Sequence, residues 1–202
     1  MSSFKAPYIS HVEIRERVEV FREQYLSCQE VPVDIETLIE IDLQLNVEPI
    51  DNLKQDFDIY ALLLSDKKTI IIDKNLYMHD NTTGLRFFLA HELGHLILHN
   101  DLWVIFKFDD PYKWIEFYKN VDATQYGYLE GHANEFAGRL LVPYQELLRI
   151  VQDSIKKIPD DLKMEIADIV PFLAPSLCKF FEVSDQIMEI RLARENIVED
   201  IE

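Results

Sequence analysis

The chain has 202 residues, with 20 Lys and Arg against 37 Asp and Glu and a net charge of −17. That length suits one well-buried domain, or one domain with a small helical appendage, and the charge weighs against holding DNA, where lysines and arginines must replace condensed counterions. No stretch approaches about 18 apolar residues, and Met1-Ser-Ser-Phe-Lys-Ala-Pro lacks a charged segment followed by an apolar run, so neither secretion nor a membrane span is expected and the cytoplasm is the default.

An acidic surface would raise the encounter rate of a basic protein partner, and it serves solubility equally well. There is no repeat and no flexible linker. Cys28 and Cys178 lie far apart without metal-type spacing and read as buried free thiols.

Ser10 is placed to cap a helix over residues 11–27, with Val12, Ile14, Val18, Phe21 and Tyr25 spaced to pack on the rest. Pro32-Val33-Asp34 opens a second helix near 35–44. Asn46 to Ile50 reads as a short edge strand, because Pro49 cannot donate to a ladder. Residues 58–64 and 68–73, either side of Ser65-Asp66-Lys67, read as an apolar hairpin.

A helix follows over 83–98, with Leu85, Phe88, Leu89, Leu93, Leu96 and Ile97 at amphipathic spacing and Asn81, Thr82 and Thr83 offering caps. It carries His91-Glu92-Leu93-Gly94-His95, an H-E-x-x-H pattern. Positions four apart lie about 40° apart round a helix and about 6 Å along it, so both imidazoles can face one ion. Neutral imidazoles suit a tetrahedral Zn²⁺ with an open position, and the neighbouring Glu92 carboxylate can take a proton from water. His99, four residues beyond His95, would lie one turn further on and about 80° round from His91, so it reads as a structural histidine or one that contacts a ligand. His11 and His79 read as solvated surface residues.

Residues 100–126 are rich in aromatics, with Trp103, Phe106, Phe108, Tyr112, Trp114, Phe117, Tyr118 and Tyr126, and Asp109-Asp110-Pro111 marks a helix start among them. Packing is expected for most of these rings and cleft lining for a minority. A helix over 128–143 buries Leu129, Ala133, Phe136, Ala137, Leu140 and Leu141 and ends at Val142-Pro143. A zinc hydrolase needs a third protein ligand. Glu130 and Asn134 share one face, so Asn134 is placed to hydrogen-bond a metal ligand if Glu130 coordinates; His132, roughly 200° round from Glu130, is the rival. Tyr144 to Ile158 reads as another helix, and 162–195 as short helices broken near Pro171 and Pro175. Ser176 to Leu192 has the look of a helix-turn-helix with Val183-Ser184 at the turn, but residues 145–202 hold seven Lys and Arg against thirteen Asp and Glu, which speaks against groove binding.

Residues 89–99, Leu-Ala-His-Glu-Leu-Gly-His-Leu-Ile-Leu-His, together with Glu130-x-x-Ala133-Asn134-x-Phe136-Ala137-x-x-Leu140-Leu141-Val142-Pro143, resemble the ImmA/IrrE family of bacterial and phage metallopeptidases. The resemblance covers about residues 8–195. Val142 stands where the family usually has methionine, and His132 where it is often acidic. The resemblance implies an α+β, zincin-like fold, mostly helical, with a small β-sheet beside the H-E-x-x-H helix. A metallopeptidase domain would occupy residues 1–158 and a helix-turn-helix-like appendage 159–202. It implies that His91, His95 and Glu130 bind Zn²⁺ and that Glu92 is the general base, and it makes Thr69 to Ile72 the candidate for an edge strand that pairs with substrate, the alternative being a strand that only supports the core.

The implied activity is that of a zinc-dependent endopeptidase cutting a basic helix-turn-helix repressor, releasing genes governed by stress or by a mobile element. Direct nucleic-acid binding and membrane association are not expected. The competing reading is a non-catalytic, metal-stabilised binding module that sequesters a regulator or toxin; an intact Glu92 tells against it. A donor for the oxyanion is not singled out among Tyr126, Tyr128 and Arg139.

Overall fold

The computed structural model, which describes residues 4–26, 31–78, 82–158, 166–195 and 197, is organised by two long helices whose apolar faces meet. Helix α1 (His11–Tyr25) precedes them, capped by the Ser10 hydroxyl, which accepts from the Glu13 N–H at 3.2 Å. It buries Ile14, Val18 and Phe21, whereas Val12 is 59% exposed. Val12 lies roughly 120–180° round the helix from those three, so it cannot share their face. Helix α2 (Ile35–Thr37), capped by Asp34, runs into a π-helical turn over Leu38–Asp42, and the two fill the second expected helix.

The sheet has the order β1-β3-β2. Strand β1 (Asn46–Ile50) pairs in parallel with β3 (Thr69–Asp73), Asn46 opposite Thr69. Helix α3 (Leu53–Phe57) leads to β2 (Ala61–Leu63), antiparallel to β3 with Leu62 opposite Ile71. The expectation that Thr69 to Ile72 form a substrate-facing edge is therefore corrected. Those residues are the middle strand, every one of them buried, as a strand that only supports the core would be; β1 and β2 hold the two edges, and β2 is the one beside α5. A run of isoleucines without polar alternation is what a strand covered on both faces requires.

Helix α4 (Lys74–Met78) is followed by α5 (Thr82–Leu98), α6 (Leu102–Ile105), α7 (Pro111–Asn120) and α8 (Ala123–Leu141). Helix α8 begins before residue 128 because the Asp122 carboxylate accepts from the N–H groups of Thr124 and Gln125 at 3.0 and 3.2 Å. The α5–α8 pair is the centre of the molecule: Leu89, Leu93, Leu129, Ala133, Phe136 and Ala137 have no exposed surface. Burial of each large apolar side chain contributes about 1.5–3 kcal/mol before entropy is counted. The two helices approach closely at Gly94, where an added Cβ would lie 2.9 Å from the Ala133 Cα. Glycine is needed there for the approach rather than for backbone freedom.

Helices α9 (Tyr144–Ile155), α10 (Ile166–Phe181) and α11 (Asp185–Arg194) complete the fold. Where breaks are expected at Pro171 and Pro175, α10 runs through both. Each proline removes one backbone donor, but Val170, Leu177, Cys178 and Phe181 are buried along the helix, and that packing outweighs the loss. The turn from α10 to α11 falls at Glu182–Ser184, with Glu182 at φ 54°. Helix α11 is locked to α8 by buried charge. Glu135 pairs with Arg139 at 2.7 Å and with Arg194 at 2.8 Å, Glu195 pairs with Arg139 and with Arg191 (2.7 Å for the latter), and the Arg191 Nη2 donates to the Val142 carbonyl at 3.1 Å.

Cys28, His79 and Asn81 lie outside the described residues. Cys178 is a buried free thiol, pushed up to about 11 by burial and by Asp185 beside it. Among the described residues no helix is long and apolar enough to cross a membrane.

Candidate metal centre

Helix α5 presents His91, Glu92 and His95, all buried, and α8 presents Glu130 from across the Gly94 contact. The Nε2 atoms of His91 and His95 are 3.1 Å apart. Glu130 Oε2 is 3.4 Å from the first and Glu130 Oε1 is 3.4 Å from the second. A tetrahedral ion bound at about 2.0–2.1 Å sets its ligand atoms about 3.3 Å apart, so the three side chains fit one ion. Two imidazoles and a carboxylate are the donor set of an open, hydrolytic divalent-metal site.

The electrostatics favour a cation. Burial alone would raise the Glu130 carboxyl, but the imidazoles of His91 and His95 hold it well below the usual carboxylate range. Burial alone would lower His91, yet Glu130 and Glu92 raise it. The centre thus draws positive charge inward, and a proton on His91 is the competitor of a metal ion.

Each imidazole is held from behind. His91 Nδ1 lies 2.9 Å from Asn134 Oδ1, an atom that only accepts, so Nδ1 donates there and Nε2 is left facing the centre, to carry a proton against Glu130 or offer a lone pair to a metal ion. His95 Nδ1 lies 3.0 Å from His99 Nδ1, and His99 Nε2 lies 3.2 Å from His132 Nδ1. His99 and His132 are therefore outside the group of converging donors. Burial pushes His99 down to about 2, so its ring is neutral. His11 is exposed and faces Glu135 at 3.7 Å and Arg194 rather than the centre.

Glu92 faces the same cleft, and its Oε2 accepts from the Leu63 N–H at 2.8 Å. Leu64 N–H donates to the Thr69 carbonyl and Asp73 N–H to the Tyr60 carbonyl, each at 2.8 Å, which puts the even-numbered residues of β2 on the β3 side. By the alternation of an antiparallel ladder, the N–H and C=O of Ala61 and Leu63 turn the other way, toward the cleft. The cavity over the centre measures about 200 Å³ and is walled by β2, Phe87, Phe88 and the segment between the helices. From that segment Trp103, Phe108, Trp114 and Tyr126 line it, while Phe106 and Phe117 pack beneath and Tyr112 and Tyr118 are exposed. The Trp103 Nε1–H donates to the Leu64 carbonyl at 3.0 Å and fastens this wall to the edge strand.

Of the three residues considered as oxyanion donors, only Tyr126 lines the cavity. Tyr128 is 53% exposed, and Arg139 belongs to the ion pairs behind α8. Burial and the adjacent Glu130 push the Tyr126 phenol up, so it stays a proton donor. Its place one turn before Glu130 on α8 is the signal that could have selected it. Nothing in the sequence marks Leu63, because its contribution is a backbone N–H.

A family model described as Peptidase_M78, IrrE N-terminal-like domain, matches residues 40–193. No curated protein matches the chain. Among solved structures, a Mycobacterium tuberculosis transcriptional regulator is similar in fold, with a TM-score of 0.55 at 17% identity over 92% of this chain. The chain spans 56% of the regulator's length, and at that identity the likeness is one of fold.

Proposed function

Because the chain belongs to the IrrE N-terminal-like family of Peptidase_M78, we propose that it is a zinc-dependent endopeptidase in which His91, His95 and Glu130 hold the ion and Glu92 is the general base. The observation that carries this reading is the convergence of three donors at tetrahedral spacing beside a carboxylate that faces the same cleft. When bound, Zn²⁺ would act as a Lewis acid toward water and the scissile carbonyl.

The rest of the chemistry belongs to the chain itself. Glu92, held by the Leu63 N–H, takes a proton from the attacking water and delivers it to the leaving amine. Tyr126, the phenol in the cavity wall, donates to the carbonyl oxygen as charge grows on it. The outward N–H and C=O of Ala61 receive an extended polypeptide as a fourth strand on β2. Trp103, Phe108 and Trp114 keep water out of the cleft and hold apolar side chains of the substrate.

The substrate in this reading is a basic helix-turn-helix repressor, attracted by a net charge of −17, and the protein works in the cytoplasm. The similarity in fold to a transcriptional regulator agrees with a role in gene control. In this reading residues 1–158 form the peptidase unit, and residues 159–202 are an appendage packed on it that is structural or docks a partner rather than DNA.

The decisive comparison is Glu92→Gln against the native protein, each loaded with zinc and incubated with small helix-turn-helix repressors encoded nearby. The variant should keep one zinc per chain and lose about 10²–10⁴ in cleavage rate, with the native protein making a single cut seen by mass spectrometry. Equal cleavage by both would remove Glu92 as the base, and equal biological activity without any cleavage would favour a binding module. Tyr126→Phe should keep zinc and lower kcat by about 10²–10³; an unchanged kcat would reject the phenol as donor.

A further inference from the structure

We infer that His99 and His132 are positioning residues that together fix the proton, and hence the aim, of His95. The inference rests on the reading that His91, His95 and Glu130 hold a metal ion.

A ligand nitrogen must offer its lone pair. His95 Nε2 is the atom facing the centre, 3.1 Å from His91 Nε2 and 3.4 Å from Glu130 Oε1, so the proton of a neutral His95 ring sits on Nδ1. That N–H can only donate, and 3.0 Å away is His99 Nδ1, which must then accept. Its own proton is left on Nε2, directed at His132 Nδ1 at 3.2 Å. His132 accepts in turn and keeps its proton on the other nitrogen. With all three rings neutral, only this assignment satisfies every contact while His95 Nε2 serves as a ligand. The reverse direction would require His95 to bind as an imidazolate.

The two ligand histidines are thus supported by unlike means. Behind His91 stands Asn134 Oδ1, an amide oxygen that is always an acceptor. Behind His95 stands an imidazole, which accepts at Nδ1 in only one of its two neutral tautomers. His132 selects that tautomer by receiving the proton on the far side. His99 is 3% exposed, so water does not readily take the place of either partner. The chain uses both helices: His99 follows His95 by one turn of α5, and His132 reaches across from α8 beside Ala133, where Gly94 lets the two backbones meet.

Zinc dissociation constants of the native protein, His99→Leu, His99→Gln and His132→Leu, measured by competition with a chromophoric chelator, test the inference without recourse to activity. His99→Leu should weaken zinc binding roughly tenfold to a hundredfold. His99→Gln, whose amide oxygen can accept from His95, should recover most of that loss, and His132→Leu should show a smaller weakening. In the zinc-loaded native protein, nitrogen-15 NMR should find the His95 proton on Nδ1 and the His99 proton on Nε2. Unchanged affinity in His99→Leu, equal weakening by Leu and Gln, or the opposite tautomer at His99 would overturn it. Should His99→Leu fail to fold, the Gln variant and the native NMR spectrum still decide. A native protein that takes up no zinc would sink the metal-centre reading itself, whereas normal uptake with indifferent His99 variants would sink this inference alone.

Discussion

At the C-terminal end of α8, Glu135 and Arg139 are buried with Arg191 and Glu195, Arg194 closes on Glu135 from the surface, and every carboxylate there faces a guanidinium. Little more than a turn earlier on the same helix, Glu130 is brought against His91 and His95 with acceptor atoms turned toward one point. Both clusters bring charged or polar groups out of water, and burial by itself does not tell them apart. The balance of donors and acceptors does. In the first cluster each carboxylate is matched by guanidinium charge, the buried Arg191 Nη1 meeting Glu195 as an ion pair without hydrogen-bond geometry, and its worth is that of a latch between α8 and α11. The second has its donors behind it, at His91 and His95 Nδ1, and lone pairs in front, so it is satisfied only by a proton or a cation.

The sharpest way to break this comparison is Arg139→Met, which leaves Glu135 and Glu195 short of a partner in the interior. It should cost about 3–5 kcal/mol in chemical denaturation, while the folded fraction still binds one zinc. A loss of zinc binding without a loss of stability would mean that the two clusters have been assigned the wrong way round.

Gly94→Ala should disturb the other cluster. Its methyl group would press on the Ala133 backbone and part α5 from α8, separating His91 and His95 from Glu130 but leaving the Glu135–Arg139 pair within α8 untouched. A stability loss of about 1–3 kcal/mol together with weaker zinc binding is expected, read by denaturation and chelator competition. Normal affinity would show that the centre tolerates helix separation.

The smallest effect concerns pH. Glu130 and Glu92 raise His91, so a proton occupies the centre below that raised value and must leave before a metal enters. Apparent zinc affinity should therefore fall with falling pH, by up to about tenfold, or 1.4 kcal/mol, per pH unit for one displaced proton. Stoichiometric titrations with zinc across the acidic to neutral range check the slope, and a flat profile would remove the competing proton.

How much of this was legible in the sequence depended on reach. The helices carrying His91, His95, Glu130 and Asn134 follow from spacing within a few turns, whereas the mostly helical fold with a small sheet beside them was implied by the family resemblance. The hairpin was legible too, but not which arm lies at the edge, because that depends on β1 returning to pair with β3 from more than twenty residues away. Pro171 and Pro175 argued for breaks that packing overrode. The latch was written in two four-residue spacings, Glu135 with Arg139 and Arg191 with Glu195, which only their burial distinguishes from ordinary surface pairs. His132 stood as a rival ligand because its partner His99 is set by how two helices cross, a quantity that no local pattern contains.

In the peptidase proposed above, the hydrogen bond from Leu63 to Glu92 would tie the substrate's seat to the general base. A polypeptide added along Ala61 would bear on the same three-residue strand that holds the Glu92 carboxylate. A chain seated one residue out of register would then bind and be cut slowly, since its fit is measured at the base rather than at the rim of the cleft. Discrimination among peptides would show in turnover more than in affinity, with the sheet edge serving as the gauge.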